Sequence, residues 1–123
     1  MIKTDVETYE KLHLQIKGIY NELGILSKKA PDGAINKFKL KFVNQLIDEA
    51  NLLLGNEYRP FNDFELFDAD DIPSNSDTVF VISQYLKCFE RLKNDNVYQK
   101  SIHYYWKIEN CEDVIKTTAP NLS

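Results

Sequence analysis

The chain has 123 residues, of which 43% are hydrophobic and 28% are charged. This composition is ordinary for one folded domain and does not favour wholesale disorder. The net charge of −4 argues against a surface that binds nucleic acid without sequence preference, because such a surface neutralises phosphates with an excess of basic residues.

Signals for export or membrane insertion are not recognisable in the sequence. The first ten residues carry acids and no apolar run, so we expect no signal peptide. The longest apolar run, LLL at 52–54, is far below the roughly 20 residues that span a bilayer. Cys88 and Cys111 lack metal-ligand spacing, and we expect both to be reduced thiols. The sequence therefore predicts a cytoplasmic protein with no membrane partner.

The first helix is predicted over about residues 4–28. Thr4 and Glu7 have the spacing of a capping box, which satisfies two backbone amides at a helix start. An apolar stripe at spacings of three and four follows, formed by Tyr9, Leu12, Ile16, Ile19, Leu23 and Leu26. Glycine weakens a helix interior, so we expect a close backbone contact at Gly18 or Gly24, or a helix end at Gly24.

The second helix is predicted over about residues 37–54. Its first residues, NKFKLKF, alternate between basic and apolar as a strand would, but a helical face starts at Val43. Asn36 is the predicted N-cap, and Gly55 with Asn56 is the predicted stop.

The third helix is predicted over about residues 75–95, after a capping box formed by Ser74 and Asp77. It carries two apolar seams, which are formed by Val79, Ile82, Leu86 and Phe89 and by Val81, Tyr85, Cys88 and Leu92. A helix that is apolar on most of its circumference must be covered on both sides. We therefore expect it to be the central helix.

The C-terminal part predicts a β-hairpin over about residues 101–118. Residues 102–109 alternate with a period of two, ENCED predicts a turn, and VIKTT predicts the returning strand. In the loop at 57–73, the segment NDFELF fits a hydrophobic staple around a capping box and predicts a short helical turn. That turn would seat Phe61, Phe64 and Phe67 against the helices. The predicted fold class is mainly α: a three-helix antiparallel bundle with this short turn and the hairpin.

Two stretches of opposite charge are separated along the chain. Residues 28–41 hold five lysines and one acid, whereas residues 56–77 hold seven acids and one arginine. These stretches meet either within one monomer or across a contact between copies, where complementary charges set orientation and association rate.

The charged residues do not form a recognisable metal site or catalytic pair. DADD at 68–71 shares acids with an EF-hand loop, but Ile72 and Pro73 stand where that loop requires an acid and a glycine. Glycine-rich phosphate loops are absent. We predict no cofactor and no metal, and we favour a protein that is not an enzyme. An enzyme whose site is assembled only in the fold, for instance from Arg91 and His103, is a third hypothesis.

We therefore expect a small soluble binding or regulatory protein that acts through protein–protein contacts, as a homo-oligomer or an accessory subunit. Segregated charge and abundant aromatic residues, which are favoured at interfaces, support this interpretation. The predicted partner-binding residues are Asp63, Glu65, Asp68, Asp70, Asp71, Tyr105 and Lys107.

The alternative is a module that binds an anionic small molecule such as a nucleotide. Lysines in the first turn of a helix oppose its dipole, and a helix start that is ringed by lysines suits a phosphate. The predicted anion-binding residues are Lys37, Lys39, Lys41, Arg59 and Arg91.

Overall fold

The computed structural model describes residues 1–109 and 114–121 and shows a mainly α protein with a small antiparallel sheet. In chain order the elements are α1 (Lys3–Lys29), α2 (Lys37–Tyr58), α3 (Asn75–Asp95), β1 (Val97–Lys100), β2 (His103–Trp106) and β3 (Lys116–Thr117). Each helix packs against the other two. The helices lie close to the ranges that the sequence predicts.

The start of α1 differs from the prediction. Its N-cap is Ile2, which has no side-chain cap, and the helix begins one residue before Thr4. The predicted capping box of Thr4 and Glu7 is therefore wrong, because a residue inside the helix cannot cap it. A Cβ at Gly18 or Gly24 would meet nothing within 4 Å. Neither glycine marks a close backbone contact, and α1 continues past Gly24.

The predicted ends of α2 agree with the structure better than the predicted start of α1 does. The Asn36 Oδ1 accepts hydrogen bonds from the backbone amides of Phe38 at 2.7 Å and Lys39 at 3.3 Å, so the N-cap is confirmed. Gly55 has φ 63° and ψ −173°, which interrupts the regular helix before one more turn ends at Tyr58. A backbone with positive φ favours glycine, which explains why the interruption falls there.

The third helix is positioned by its N-cap and by aromatic contacts at its other end. The Ser74 Oγ accepts a hydrogen bond from the Asp77 amide at 3.1 Å, as the sequence predicts. The buried Tyr9 of α1 donates its hydroxyl hydrogen bond to the Phe89 carbonyl of α3 at 2.8 Å. The Tyr9 ring also meets the buried Trp106 of β2, with centroids 4.9 Å apart. These contacts join α1, α3 and the sheet into one core.

The loop between α2 and α3 is not helical, so the predicted short turn is wrong: residues 59–73 contain no helix. Instead the chain is held along α2 by carboxamides. The Asn44 Nδ2 donates to the Phe67 carbonyl at 3.0 Å and its Oδ1 accepts from the Phe67 amide at 3.0 Å, while Asn51 donates to the Glu65 carbonyl at 3.2 Å. These contacts supply the hydrogen bonds that a helical turn would otherwise make internally.

The three loop phenylalanines nevertheless pack where the sequence predicts. The rings of Phe61 and Phe64 lie 5.8 Å apart, those of Phe64 and Phe67 lie 5.1 Å apart, and all three are partly buried against the core. The Arg59 guanidinium fixes this arrangement from the α2 side, since it donates to the carbonyls of Phe61 and Phe64, each at 3.0 Å.

The sheet has the strand order β1–β2–β3, with both pairs antiparallel. The pairing of β2 with β3 agrees with the predicted return of the chain, but β1 was not predicted. It pairs with β2 through a two-residue turn in which Ser101 has φ 60°. Residues 110–113 of the predicted turn ENCED, including Cys111, lie outside the described residues.

Candidate functional site

The solvent-facing side of α2 carries a second stripe of side chains, three of them large and apolar, which is separate from the apolar face that packs on the core. We call it the outer stripe; it consists of Phe38, Phe42, Gln45, Glu49 and Leu52. Successive spacings of four, three, four and three place these side chains on one face of the helix. The exposed fractions are 70% for Phe38, 43% for Phe42 and 80% for Leu52. The rings of Phe38 and Phe42 pack edge to face, with their centroids 5.0 Å apart.

Charge along α2 is polarised. The first half carries the lysines of the predicted anion site, and the second half carries Asp48, Glu49 and Glu57. Lys39 is 3.0 Å from Glu22 of α1. Lys41 and Asp48 are exposed and form no ion pair with any residue in the described ranges 1–109 and 114–121. The helix therefore has a basic end and an acidic end beside the same apolar stripe.

All five predicted partner-binding acids of the loop are exposed: Asp63, Glu65, Asp68, Asp70 and Asp71. Within the described part of the chain, none of them forms an ion pair. The loop contacts with Asn44 and the hydrogen bond from the Ile35 amide to the Pro73 carbonyl at 3.0 Å place the segment 68–72 beside the first turns of α2. The acidic and basic stretches are therefore neighbours in one monomer, without direct pairing.

The two other predicted partner-binding residues are Tyr105, which lies on β2, and Lys107, which directly follows that strand. Tyr105 is half-buried, with its ring 5.7 Å from that of Tyr98. Lys107 is exposed, and its backbone amide donates to the Asn96 carbonyl at 2.7 Å. No hydrogen bond or ring contact between described residues joins these two residues to the acidic loop.

The predicted anion-binding residues are spread over three places. Lys37, Lys39 and Lys41 lie at the start of α2, where the Asn36 side chain already accepts from two of the amides that an anion would need. Arg59 donates to loop carbonyls. Arg91 lies on α3 with its guanidinium carbon 5.2 Å from the centre of the Tyr58 ring. The structure does not gather them into one site.

A groove of about 600 Å³ lies between α1 and α3, and the C-terminal segment 118–121 forms part of its wall. We call it the α1–α3 groove. Its lining residues are His13, Lys17, Tyr20, Asn21, Ser83, Leu86, Lys87, Glu90, Arg91, Lys93, Asn94, Thr118, Ala119 and Asn121. Arg91 is in this set, whereas His103, its partner in the enzyme hypothesis, is not.

The floor of the groove holds a pair of titratable groups, His13 and Glu90. The His13 Nε2 lies 2.9 Å from the Glu90 Oε1, but this nitrogen is buried and makes no well-directed hydrogen bond. Burial lowers the pKa of His13; neighbouring Lys17 and Lys93 also lower it, while Glu90 opposes the shift. The second Glu90 oxygen accepts from the Asn121 amide at 3.0 Å, so this carboxylate is engaged on both sides.

Among the residues that line this groove, the sequence suggested a functional role only for Arg91. A signal was present, because His13 with Lys17 and Lys87 with Arg91 each have the four-residue spacing that places two side chains on one helix face. The sequence does not show that these two faces meet, since they lie about 70 residues apart in the chain.

Other chemical features are limited. The half-buried Cys88 is a free thiol, and burial raises its pKa, which disfavours the reactive thiolate. Within residues 1–109 and 114–121, no cluster of three or more His, Cys, Asp or Glu could hold a metal ion. None of the helices there has the length and apolarity to cross a membrane.

No protein-family model, curated protein or solved structure matches the chain.

Proposed function

We propose that the protein acts through protein–protein contact as a homodimer, in which two copies pack the outer stripe of α2 against each other with the helices antiparallel. The observation that carries this proposal is the outer stripe itself. Three large apolar side chains, Phe38, Phe42 and Leu52, stand in solvent at the spacing that helices use to pack together.

The spacing of the stripe defines the contact. In a two-fold arrangement centred near Gln45, Phe38 of one copy lies opposite Leu52 of the second copy, and the symmetry repeats this pair at the other end. The same arrangement sets Lys41 beside Asp48 of the second copy, one residue away from direct opposition, on the flank of the stripe. Each apolar end of the stripe is thus covered, and the exposed charges of Lys41 and Asp48 gain a partner.

Charge favours a second copy over an unrelated partner. Because α2 is basic in its first half and acidic in its second half, its surface is complementary to itself when reversed. A parallel arrangement would set lysine against lysine and is disfavoured. Neither of the two residues that would pair, Lys41 and Asp48, forms an ion pair with a described residue of its own chain.

Sedimentation analysis over about a hundredfold range of concentration tests the proposal, since a dimer dissociates on dilution by mass action. We expect a concentration-dependent dimer in the natural chain and a monomer in the double variant Phe38→Ser/Leu52→Ser. The matched control is Leu14→Ser, which removes a 74% exposed leucine from α1 and leaves the dimer intact. A natural chain that stays monomeric over the whole range would overturn the proposal.

A further inference from the structure

The charge of the α1–α3 groove is unbalanced. Its described lining residues include four cations, Lys17, Lys87, Arg91 and Lys93, and one carboxylate, Glu90. That carboxylate already contacts His13 and the Asn121 amide. The groove therefore carries a net positive charge, although the chain as a whole is negative. Such a concave basic surface concentrates anions.

One of these cations is buried. Lys93 is only 3% exposed. Its Nζ donates a hydrogen bond to the Thr118 Oγ1 at 2.8 Å and lies 6.0 Å from the centre of the Trp106 ring. It forms no ion pair with a carboxylate among residues 1–109 and 114–121. A buried charge without a counter-ion is unfavourable, so an anion bound in the groove gains from it.

The outer cations are accessible to a ligand. Lys17, Lys87 and Arg91 are exposed, and none of them has a carboxylate partner in the described part of the chain. The Arg91 guanidinium, whose carbon lies 5.2 Å from the centre of the Tyr58 ring, carries donors that match a phosphate group, and Lys87 lies one helical turn before Arg91 on the same face of α3. Together these two side chains can hold one anionic group at the mouth of the groove.

The groove also has the size and the apolar surface for an organic ligand. Its volume of about 600 Å³ lies within the range of small-molecule sites. Tyr20 of α1 and Leu86 of α3 supply surface against which a ring can pack. An inorganic ion would leave most of this space unused.

We infer that the α1–α3 groove binds a phosphomonoester of about mononucleotide size, with the phosphate held by Arg91 and Lys87 and the organic part packed toward Tyr20 and Leu86. This site differs from the start of α2, where the sequence predicts an anion site. It is also separate from the proposed dimer contact, because no residue of the outer stripe lines the groove.

Calorimetric titration at constant ionic strength tests this inference with three probes: AMP, adenosine and inorganic phosphate. AMP carries both parts of the inferred ligand, and each of the other two carries one part. We expect AMP to bind at least about tenfold more tightly than either of the others, because a charge-assisted phosphate contact and ring packing each contribute to affinity.

Two variants and one matched control localise the binding. Arg91→Gln and Lys87→Gln should each weaken AMP binding about tenfold, as expected for the loss of one charged contact. Lys11→Gln removes an exposed lysine of α1 that does not line the groove, and it should leave the affinity unchanged. The monomeric variant Phe38→Ser/Leu52→Ser should bind AMP as the natural chain does.

Several outcomes would overturn the inference. Absence of AMP binding at millimolar concentration would show that the groove is not a binding site for this ligand. Equal binding of AMP and adenosine would show that the phosphate is not recognised, and equal binding of AMP and phosphate would show that the organic part is not. An unchanged affinity in Arg91→Gln and Lys87→Gln would place the anion elsewhere.

Discussion

The Asn44 carboxamide makes two hydrogen bonds to the backbone of Phe67, one to its carbonyl and one from its amide, each 3.0 Å long. A side chain of α2 thus pairs with the loop as a neighbouring strand would. This pairing explains why the loop needs no helical turn and why its three phenylalanines lie against the core while its acids face solvent.

Removal of this carboxamide should destabilise the fold. Asn44→Ala leaves the Phe67 amide and carbonyl without their partner in a half-buried position, so we expect a loss of about 1–3 kcal/mol in the free energy of unfolding, measured with urea. The control is Asn62→Ala, which changes an exposed loop residue and should cost less than about 0.5 kcal/mol. If Asn62 capped a helical turn instead, its replacement would cost about 1 kcal/mol.

Replacement of Gly55 and Gly18 by alanine should change the stability of the protein in opposite directions. At Gly55, φ 63° and ψ −173° define a backbone that side chains rarely adopt, so Gly55→Ala should destabilise the protein by about 1–3 kcal/mol. At Gly18, inside α1, an added Cβ meets nothing within 4 Å, so Gly18→Ala should stabilise it by about 0.5–1 kcal/mol. Thermal unfolding of the two variants measures both effects, and a shift of the same sign in both would contradict the assignment.

Protonation of His13 should lower stability in mild acid. Burial lowers the pKa of His13 below its ordinary value of 6.5, so just below pH 6.5 the unfolded chain binds more protons than the folded one. The contribution of His13 to the free energy of unfolding is therefore fully present above pH 6.5, and it is lost as the pH falls toward the lowered pKa. Lys17 and Lys93 reinforce this shift, whereas Glu90 opposes it.

The variant His13→Gln isolates this effect from the other titrating groups. Urea unfolding at several pH values between about 5 and 8 should show a smaller rise of stability with pH in the variant than in the natural chain. A steeper rise in the variant would mean that the attraction of Glu90 outweighs burial and that the folded pKa is raised.

Local patterns predicted the helices because the information lies within a few residues of each feature. The stripe that begins at Tyr9 fixes the buried face of α1, and Asn36 marks the start of α2 through two amides directly after it. The prediction of a helical turn in the loop was wrong for the opposite reason. NDFELF has the local pattern of a capped turn, but its backbone partners are Asn44 and Asn51, which lie 23 and 14 residues from the residues that they hold.

Strand β1, the groove and the outer stripe could not be predicted from the sequence for similar reasons. Strand β1 is only four residues long and directly follows α3, so its alternating pattern is too short to separate from the end of the helix. The groove depends on the packing of α1 against α3, which brings His13 to Glu90. The outer stripe of α2 was hidden because its phenylalanines alternate with lysines in NKFKLKF, a pattern that also suits a strand.

A charge swap across the proposed dimer contact tests the central claim most directly. Lys41→Asp and Asp48→Lys each place like charges beside one another at two symmetric positions, so each should weaken the dimer about tenfold at low salt. The double variant Lys41→Asp/Asp48→Lys restores opposite charges and should recover the dimer affinity of the natural chain. Sedimentation of the four proteins decides the question. A double variant as weak as the single variants, or a natural chain that does not dimerise, would contradict the antiparallel α2 contact.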